Sequence, residues 1–363
     1  MTEEPSEGAL RVYDGLRTAH LERLQCRQLG SLYYRKTSYD FDEDLARRMG
    51  ARRLGRLGIL AGVIRSRFAV VHVNEPLDMY CWPTTLVVYL GVVIRRFVLR
   101  QPAMVVTYAI ENKDLERALA FRFPRLPRAL VRAAAISVPY LLVRFSDRIA
   151  FGTPAALENY RRLPGNPLKR VCNTLIVGTA TVCKACDAEK KRAGSVVFLG
   201  AFDERKGVIP FMEAVESINA DLRVEVLGKG PLVDRVLEMS TGDSRICVRQ
   251  DPDRATIHDV LASTRVLVLP SVSTGEWVEQ IGLPIVEGLA HGCVIVTTRE
   301  TGLSPWLEEH GHVVINSASR TELAAAILAA LQTSKAPSEV LMDLPEKDPR
   351  LAADDWLEAT PWM

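Results

Sequence analysis

The feature that most constrains the fold of this chain is a repeated alternation of short apolar runs with longer amphipathic stretches. The runs are FAVVHVN (68–74), AMVVTYA (103–109), DRIAFGT (147–153), SVVFLGAF (195–202), LRVEVLGKG (222–230), RICVRQ (245–250), TRVLVLPS (264–271) and CVIVTT (293–298). Strands that are apolar along most of their length are typical of parallel sheets, because helices cover both faces of such sheets. The sequence therefore predicts an α/β protein.

A stretch rich in Pro, Gly and Thr, YRRLPGNPLKRVCNTLIVGTATVCKAC (160–186), separates the first three runs from the other five. The 363 residues suffice for two cores of about 150 residues each. We therefore predict one domain over 1–165 and a second over 166–335. A C-terminal tail over 336–363 follows. One hypothesis is that this tail returns to the N-terminal domain. Two open sheets in tandem are expected to face each other across a cleft, with ligands beyond the carboxyl ends of the strands.

Charge is distributed unevenly along the chain. The formal net charge of +2 combines a balance of +12 over residues 1–170 with one of −10 over residues 171–363. The asymmetry indicates either ordinary solvated charge or two domains with different partners. Five arginines lie next to apolar segments of the basic half, namely Arg95, Arg96, Arg125, Arg128 and Arg132. These segments are too short or too interrupted to span a bilayer, so they read as buried helices with snorkelling arginines or as helices that lie on an anionic membrane surface.

The chain begins with acidic and polar residues, MTEEPSEGAL, which do not resemble a signal peptide. Its seven cysteines are an odd number spread over a long sequence, a pattern typical of reduced thiols rather than a disulfide framework. We therefore expect a cytoplasmic protein, with a peripheral position on the inner face of the plasma membrane as a further hypothesis.

The segment GEWVEQIGLPIVEGLAHG (275–292) places two acids on either side of a Gly-Leu-Pro turn. Pro284 suits the first turn of a helix, and Gly282 allows close approach of backbone to a ligand. The free N–H groups and positive dipole of such a helix start form an anion site. Glu279 and Glu287 would border one ligand and accept hydrogen bonds from its hydroxyl groups. Acids near a helix start are also stabilising without any ligand, and that alternative stays open for Glu287 alone.

The stretch EQIGLPIVEGLAHGCVIVTT (279–298) resembles the signature of the retaining glycosyltransferases of the GT-B fold, family 4, written E-x7-E with Gly-Leu-Pro inside. Three more segments agree with that family in order and spacing, namely FLGAFDERKGV (198–208), VLGKGPL (226–232) and VLPS (268–271). The resemblance is strong over residues 195–310. Over residues 68–165 the resemblance is weaker, because the segments there fit the family's acceptor domain only in their layout along the chain. It implies two Rossmann-like domains, an acceptor-side domain over 1–165 and a nucleotide-sugar donor domain over 166–335.

The resemblance also implies roles for single residues. Glu287 would hold the ribose hydroxyls, Glu279 would contact the transferred sugar, and Lys206 would neutralise the leaving diphosphate, where charge grows in the transition state. Further donor-binding candidates are Gly282, Leu283, Pro284, Arg205 and Gly200. Acceptor-side candidates are Asn74 and Glu75, which follow the strand VVHV, together with Glu111 and Asn112. A turn that ends the strand before Pro76 is the alternative for Asn74 and Glu75. The implied partners are a nucleotide sugar donor and a glycan or lipid-linked acceptor, with no nucleic acid. No cofactor and no metal are implied.

Two other groups could bind a metal. Cys183 and Cys186 form a CKAC motif, but a lone pair lacks two further ligands, so plain thiols are favoured over zinc binding or redox cycling. His310 and His312 at a turn are expected to face solvent.

Three departures from the family pattern raise the question of activity. Ala201 stands where the family usually has an arginine, for which Arg205 could substitute, and Ala109 stands where it often has a histidine. EGALRVYDGLRTAHLERL (7–24) resembles the helix that normally follows the first strand, so that strand is expected to be missing.

The residues and the resemblance together indicate a retaining, metal-independent glycosyltransferase. It would move a hexose from a nucleotide diphosphate sugar to a glycan or lipid-linked acceptor, in envelope or exopolysaccharide biosynthesis. The alternative is a catalytically inactive GT-B protein that acts as a nucleotide-binding or regulatory partner. A sugar-nucleotide epimerase of related fold is a third interpretation, although E-x7-E is not its signature.

Overall fold

The computed structural model describes residues 8–25, 27, 30–38, 41–186, 190–274 and 277–359. The chain forms two compact units. The first comprises Met1–Gly152, Ala156–Ile176 and Arg350–Met363, and the second comprises Thr153–Ala155 and Val177–Pro349. Each unit is built on one parallel sheet.

The first unit has a seven-stranded sheet in the order β3-β2-β1-β4-β5-β6-β7. Its strands are β1 (Ala9–Leu16), β2 (Ser31–Thr37), β3 (Arg52–Arg53), β4 (Val70–His72), β5 (Met104–Ala109), β6 (Arg148–Phe151) and β7 (Cys172–Leu175). The α-helices that begin before residue 170 are α1 (Thr18–Leu24), α2 (Glu43–Arg48), α3 (Arg56–Ile64), α4 (Trp82–Val93), α5 (Leu115–Arg122), α6 (Arg128–Phe145) and α7 (Pro154–Arg161). A π-helical turn (Ile94–Val98) continues α4, and a 3-10 turn (Pro167–Arg170) precedes β7.

The second unit has a six-stranded parallel sheet in the order β10-β9-β8-β11-β12-β13. Its strands are β8 (Arg192–Leu199), β9 (Arg223–Gly228), β10 (Ile246–Gln250), β11 (Thr264–Leu269), β12 (Val294–Thr298) and β13 (Val313–Ile315). The remaining α-helices are α8 (Val208–Ser217), α9 (Val233–Ser240), α10 (Arg254–Ser263), α11 (Leu283–Ala290), α12 (Ser304–Glu309), α13 (Arg320–Gln332), α14 (Pro337–Met342) and α15 (Pro349–Glu358), with a 3-10 turn at Glu204–Lys206. The predicted α/β class is confirmed.

Both sheets follow the doubly wound pattern of Rossmann-like domains, in which the strand order reverses next to the first strand. The reversal falls between β1 and β4 in the first unit and between β8 and β11 in the second. In such sheets ligands bind beyond the carboxyl ends of the strands at this point. In the second unit, a ligand is therefore expected to bind at the loops after β8 and β11.

The expectation that the first strand is missing is wrong. Residues 9–16 form β1, which pairs with β2 and β4 near the middle of the first sheet. Arg11 and Asp14 interrupt the apolar pattern and give this stretch the appearance of an amphipathic helix. Both are buried in ion pairs, Arg11 with Glu358 and Asp14 with Arg35 at 2.7 Å. Charged residues can occupy a central strand when distant partners neutralise them.

The division between the units falls at Ile176 and Val177, later than the predicted position after residue 165. The reason is β7, which pairs with β6 and extends the first sheet. Within the tail, residues up to Pro349 belong to the second unit, and the rest of α15, from Arg350, belongs to the first. Ala353 and Leu357 of α15 are fully buried in the core of the first unit.

The arginines of the basic half differ in environment. Arg95 is buried and donates to the carbonyl oxygens of Phe68 and Pro102 at 2.9 Å each. Arg96 is bonded to Asp147 and to the carbonyl oxygen of Ala103. These two arginines therefore cannot face a membrane, whereas Arg125, Arg128 and Arg132 are exposed. No helix among the described residues has the length and apolar character needed to cross a bilayer.

Candidate functional site

The loop after β8 is held against the end of β11 by a glycine that no other residue could replace without strain. Gly207 has φ +71°, and a Cβ atom there would lie 2.3 Å from the carbonyl oxygen of Pro270. Asp203 caps the 3-10 turn by accepting a hydrogen bond from the backbone N–H of Lys206 at 3.0 Å. The loop therefore presents Lys206 at the carboxyl end of the sheet.

Lys206 and Glu279 lie together in this place although 73 residues separate them. The Lys206 ammonium group forms an ion pair with the Glu279 carboxylate, which also accepts a hydrogen bond from the Ser271 hydroxyl at 3.0 Å. Glu279 and Ser271 are both buried. A buried carboxylate with two donors is a fixed acceptor, and the lysine is a cation whose charge a ligand anion could share.

Trp277 lies beside both cations of the loop. Its ring centroid is 4.9 Å from Lys206 Nζ and 4.9 Å from Arg205 Cζ, which are cation–π distances. The Arg205 guanidinium also donates to Asp203 at 2.6 Å. Arg205, which was predicted to replace the missing arginine, thus lies in the same loop as Lys206. Its guanidinium group is already bonded to Asp203.

Helix α11 begins where the sequence predicted. Gly282 precedes it with φ +77°, and Pro284 lies in its first turn. The Leu283 side chain is 67% exposed at this helix start. The prediction that a helix starts at Gly-Leu-Pro is confirmed.

Glu287 lies one turn inside α11. Its carboxylate is at the surface and accepts no hydrogen bond from any described residue. Atoms packed around it desolvate the carboxylate and raise its pKa above the usual value, and the positive charge of Arg254 opposes this effect. Glu287 is therefore available to an incoming hydroxyl group.

Strand β12 and the loop after it fix the segment that carries Glu279. The Gly302 N–H donates to the Glu279 carbonyl oxygen at 3.1 Å, and the Thr301 hydroxyl donates to the Ile281 carbonyl oxygen at 3.3 Å. The Thr298 hydroxyl donates to the Ser271 carbonyl oxygen at 2.5 Å. The segment that carries the Glu279 carboxylate is thus held by hydrogen bonds from one backbone N–H and two threonine hydroxyls.

Gly200 follows β8 and contacts the Gly-x-Gly-Pro turn. A Cβ atom on Gly228 would lie 1.9 Å from the Gly200 carbonyl oxygen, and one on Gly230 would lie 2.5 Å from the Phe202 carbonyl oxygen. Gly228, at the end of β9, and Gly230, after it, therefore let two backbone segments touch. Ala201, between these segments, provides no cation.

The four acceptor-side candidates lie after β4 and β5 in the first unit. The Asn74 side-chain oxygen accepts from the Asp14 N–H at 2.8 Å, which ties it to β1. Glu75 accepts from the Glu111 N–H at 3.0 Å and from the Tyr160 hydroxyl at 3.2 Å. Glu111 is buried and pairs with Lys113 at 2.7 Å, and Asn112 is half-buried beside it. All of these contacts are made within the protein. A role of the four residues in binding an acceptor therefore stays a prediction.

Burial and the nearby Glu111 carboxylate raise the pKa of Glu75 to about 8. Two backbone N–H groups oppose this shift because they stabilise the charged form.

Two expectations about metal-binding residues are wrong. His312 is 6% exposed rather than solvent-facing, and its Nδ1 accepts from the Ile295 N–H at 3.1 Å. Burial lowers its pKa to about 3. Cys183 and Cys186 do not lack further ligands, because His258 and His291 lie beside them.

Sequence reasoning missed Ser271, Trp277 and Asp203 as members of the site. Ser271 lies just beyond the end of β11, separated from it by Pro270, so its position near a strand end was a signal. Trp277 stands two residues before Glu279, and only the fold brings its ring to the lysine.

Residues 193–333 match the family model described as Glycosyl transferases group 1. The matched segment, which is less than half of the chain, is similar to group 1 glycosyltransferases. It contains Lys206, Glu279 and Glu287, and the first unit lies outside the match.

A relative from Bacillus subtilis (strain 168) is TuaC, a protein named as a teichuronic acid biosynthesis glycosyltransferase. It is 28% identical over 131 residues, which cover 36% of this chain and 31% of TuaC. The match thus spans about a third of the length of either protein.

Solved structures resemble the chain over nearly its whole length. HepE of Anabaena in complex with UDP has a TM-score of 0.65 at 12% identity, covering 96% of this chain and 95% of that one. The galactosyltransferase WaaB has a TM-score of 0.66 at 7% identity, covering 96% and 99%. The sucrose-phosphate synthase of Thermosynechococcus elongatus has a TM-score of 0.62 at 16% identity, covering 97% and 96%. At these identities the likeness shows the fold, which is GT-B with two Rossmann-like units.

Proposed function

We propose that this protein is a retaining, metal-independent glycosyltransferase of family 4 that transfers a hexose from a nucleotide diphosphate sugar. The acceptor would be a glycan or a lipid-linked glycan in envelope or exopolysaccharide biosynthesis. The observation that carries the proposal is the group formed by Lys206, Glu279 and Ser271, in which Glu279 shortly precedes Gly282 and the start of α11. The group 1 match over residues 193–333 and the UDP bound by HepE support it.

The leaving group would be a nucleoside diphosphate, whose charge increases as the bond to the sugar breaks. Lys206 would stabilise that charge, together with the backbone N–H groups at the start of α11. In the structure the lysine is neutralised by Glu279. On donor binding, Lys206 would therefore give up part of its contact with Glu279 and bind phosphate oxygens instead. The Ser271 hydroxyl would remain bonded to the Glu279 carboxylate.

Two carboxylates would orient the donor at its two ends. Glu287 is exposed and free of described hydrogen-bond partners, which suits an acceptor for ribose hydroxyls. Glu279 is buried and fixed by the Gly302 contact, which suits an acceptor for hydroxyls of the transferred sugar. Hydrogen bonds of this kind orient the donor for reaction.

The inactive-partner alternative also has an observation in its favour. Ala201 supplies no second phosphate cation, and Asp203 already binds Arg205. A protein of this kind would bind a nucleotide without turning over a sugar.

A donor screen separates the two functions. UDP-, GDP- and ADP-sugars are added singly, thermal stability is measured, and release of nucleoside diphosphate is followed in the same samples. The glycosyltransferase proposal predicts a rise in Tm with one nucleotide class and turnover of its sugar. Stabilisation without turnover on any offered glycan or lipid-linked acceptor would support the inactive partner.

The stereochemistry needs its own measurement. Proton NMR of the first product should show the anomeric configuration of the donor sugar. Inversion at the anomeric carbon would refute the retaining assignment while leaving the transferase intact.

A further inference from the structure

Four side chains in the second unit that have no assigned role toward the donor form a cluster. They are Cys183 and Cys186 from the CKAC motif, His258 of α10 and His291 at the end of α11. One sulfur or nitrogen atom of each lies within 4.8 Å of the corresponding atoms of the other three. Cys183 Sγ is 3.4 Å from Cys186 Sγ and 3.4 Å from His258 Nε2, and Cys186 Sγ is 3.5 Å from His258 Nε2.

These distances match a tetrahedral zinc site. Zinc bonds of about 2.3 Å to sulfur and about 2.0 Å to nitrogen place neighbouring ligand atoms roughly 3.3–3.8 Å apart. The three measured separations fall in that range, so closing the site around an ion needs only a small movement of His291. Two cysteine thiolates and two neutral imidazoles would also balance the charge of a divalent ion.

The fold builds this arrangement from three separate segments. The Cys183 N–H donates to the Ala290 carbonyl oxygen at 2.9 Å, which docks the CKAC turn onto the end of α11. The Cys186 N–H donates to the Cys183 carbonyl oxygen at 3.3 Å and closes the turn between the two thiols. His258 projects from the neighbouring helix, with its ring 5.0 Å from the His291 ring.

His291 carries the observation that points to an ion. Its Nδ1 lies 2.7 Å from the Glu287 carbonyl oxygen, a contact that requires the proton on Nδ1. The Nε2 atom then presents a lone pair. This atom is buried and has no hydrogen-bond partner among the described residues, and the side chain is 8% exposed. A buried nitrogen without a partner is unfavourable, and a hydrogen-bonded Nδ1 is the usual outer contact of a histidine that binds metal through Nε2.

We propose that Cys183, Cys186, His258 and His291 bind one structural Zn²⁺ ion. Four protein ligands leave no open position, so the ion would not take part in sugar transfer. It would join the segment before β8, the side of α10 and the end of α11. Because α11 begins at Gly282 and carries Glu287, the ion would anchor the helix that forms the donor site. The proposal does not depend on the proposed activity.

The test measures metal on the intact chain, purified under reducing conditions. Mass spectrometry should find about one zinc per chain. After removal of zinc by a chelator, Co²⁺ should restore the intense visible bands and sulfur charge-transfer absorption of a tetrahedral site with thiolate ligands. Chelation alone should lower Tm by roughly 5–10 °C, and added zinc should reverse the loss.

Matched variants separate these ligands from other histidines and thiols. His258→Ala changes a half-exposed residue and should fold, yet lower zinc content at least tenfold. His291→Ala should do the same, whereas His310→Ala should not, although His310 makes the same contact to a carbonyl oxygen four residues earlier. Cys183→Ser with Cys186→Ser should abolish the Co²⁺ charge-transfer band, and Cys172→Ser with Cys247→Ser, at two exposed thiols, should retain it.

Three results would overturn the proposal. One is a reduced wild-type chain that neither contains zinc nor gives the Co²⁺ spectrum. Another is zinc content unchanged in the folded His258→Ala protein. A Cys183–Cys186 disulfide found in the freshly purified chain, with no zinc, would also contradict it and indicate a redox pair instead.

Discussion

At the scale of single residues, the assignment depends on Lys206 and on the two acids of the E-x7-E segment. Glu279 could be placed from sequence only through the family resemblance, because no local pattern pairs it with a lysine 73 residues away. The Gly282-Leu283-Pro284 turn could be predicted from local rules, since a proline in the first turn and a glycine before it mark a helix start. Residues fixed by local conformation were therefore predictable, and those fixed by distant partners were not.

Lys206 is expected to contribute to turnover more than to donor binding. Lys206→Ala should reduce kcat by roughly 10²-fold, because a preorganised cation at the leaving group is lost. Arg205→Ala should be less impaired, since Asp203 holds that side chain. Steady-state kinetics with the donor found in the screen measures both. Wild-type kcat in a folded Lys206→Ala protein would remove the lysine from the leaving-group site.

Glu75 predicts a pH dependence of stability. Its pKa is raised to about 8 in the folded protein, so between pH ~4.5 and ~8 the folded state binds a proton that the unfolded state has lost. The free energy of unfolding should therefore fall as pH rises through this window. Urea unfolding at pH 6 and pH 8 should show the fall in wild type and a smaller one in Glu75→Gln. Equal slopes in the two proteins would show that Glu75 is ionised in the fold.

At the scale of elements, the strands of the second sheet were predictable because β8, β9, β11 and β12 are apolar runs bounded by turns. Strand β1 was not, because the burial of Arg11 and Asp14 depends on partners elsewhere in the chain. The zinc ligands were missed for the same reason: the CKAC motif is local, whereas His258 and His291 reach it only through the packing of α10 and α11.

Helix α6 and the segment before it suggest how the first unit could meet a membrane. Their exposed apolar side chains are Phe121, Phe123, Leu126, Leu130, Leu141 and Phe145. Arg125, Arg128 and Arg132, in the same stretch of the chain, are exposed as well. We propose that this surface binds anionic lipid, with each cation contributing about 1 kcal/mol.

The lipid proposal predicts sedimentation with anionic vesicles, lost above ~0.3 M salt through screening. Replacing Arg125, Arg128 and Arg132 by Gln should weaken binding by roughly 10²-fold. The same change at Arg47, Arg48 and Arg56, which are also exposed, should have little effect. Wild-type binding to neutral vesicles, or none to anionic ones, would indicate an acceptor that is not in a membrane.

At the scale of the whole molecule, the chain returns to its first unit through α15. Glu358 pairs with Arg11, with Arg27 at 3.0 Å and with His72 at 2.8 Å. Sequence analysis left the course of the tail open, because a short helix carries no signal of what it packs against. The ion pairs around Glu358 explain why a charged helix can cover the first sheet.

Removal of the Glu358 charge should destabilise the first unit. Glu358→Gln leaves Arg11 buried without a counter-charge, and breaking a buried pair costs about 3 kcal/mol or more. Asp355→Asn, which removes a half-exposed partner of Arg27, should cost ~1 kcal/mol or less. Denaturant unfolding measures both changes. Equal losses in the two variants would show that Arg11 is solvated in the folded protein.

The proposed function requires the second unit to bind a nucleoside diphosphate, with Glu287 as an acceptor for its hydroxyl groups. Calorimetry of UDP, GDP and ADP binding to wild type and to Glu287→Ala tests it, with Glu309→Ala as a control for loss of an exposed acid on another helix. We predict that the nucleotide that binds wild type binds Glu287→Ala about 10- to 100-fold more weakly, since a hydrogen bond to a charged group contributes about 1.5–3 kcal/mol. Glu309→Ala should bind like wild type. Unchanged affinity in a folded Glu287→Ala protein, or no binding of any nucleoside diphosphate to wild type, would contradict the account.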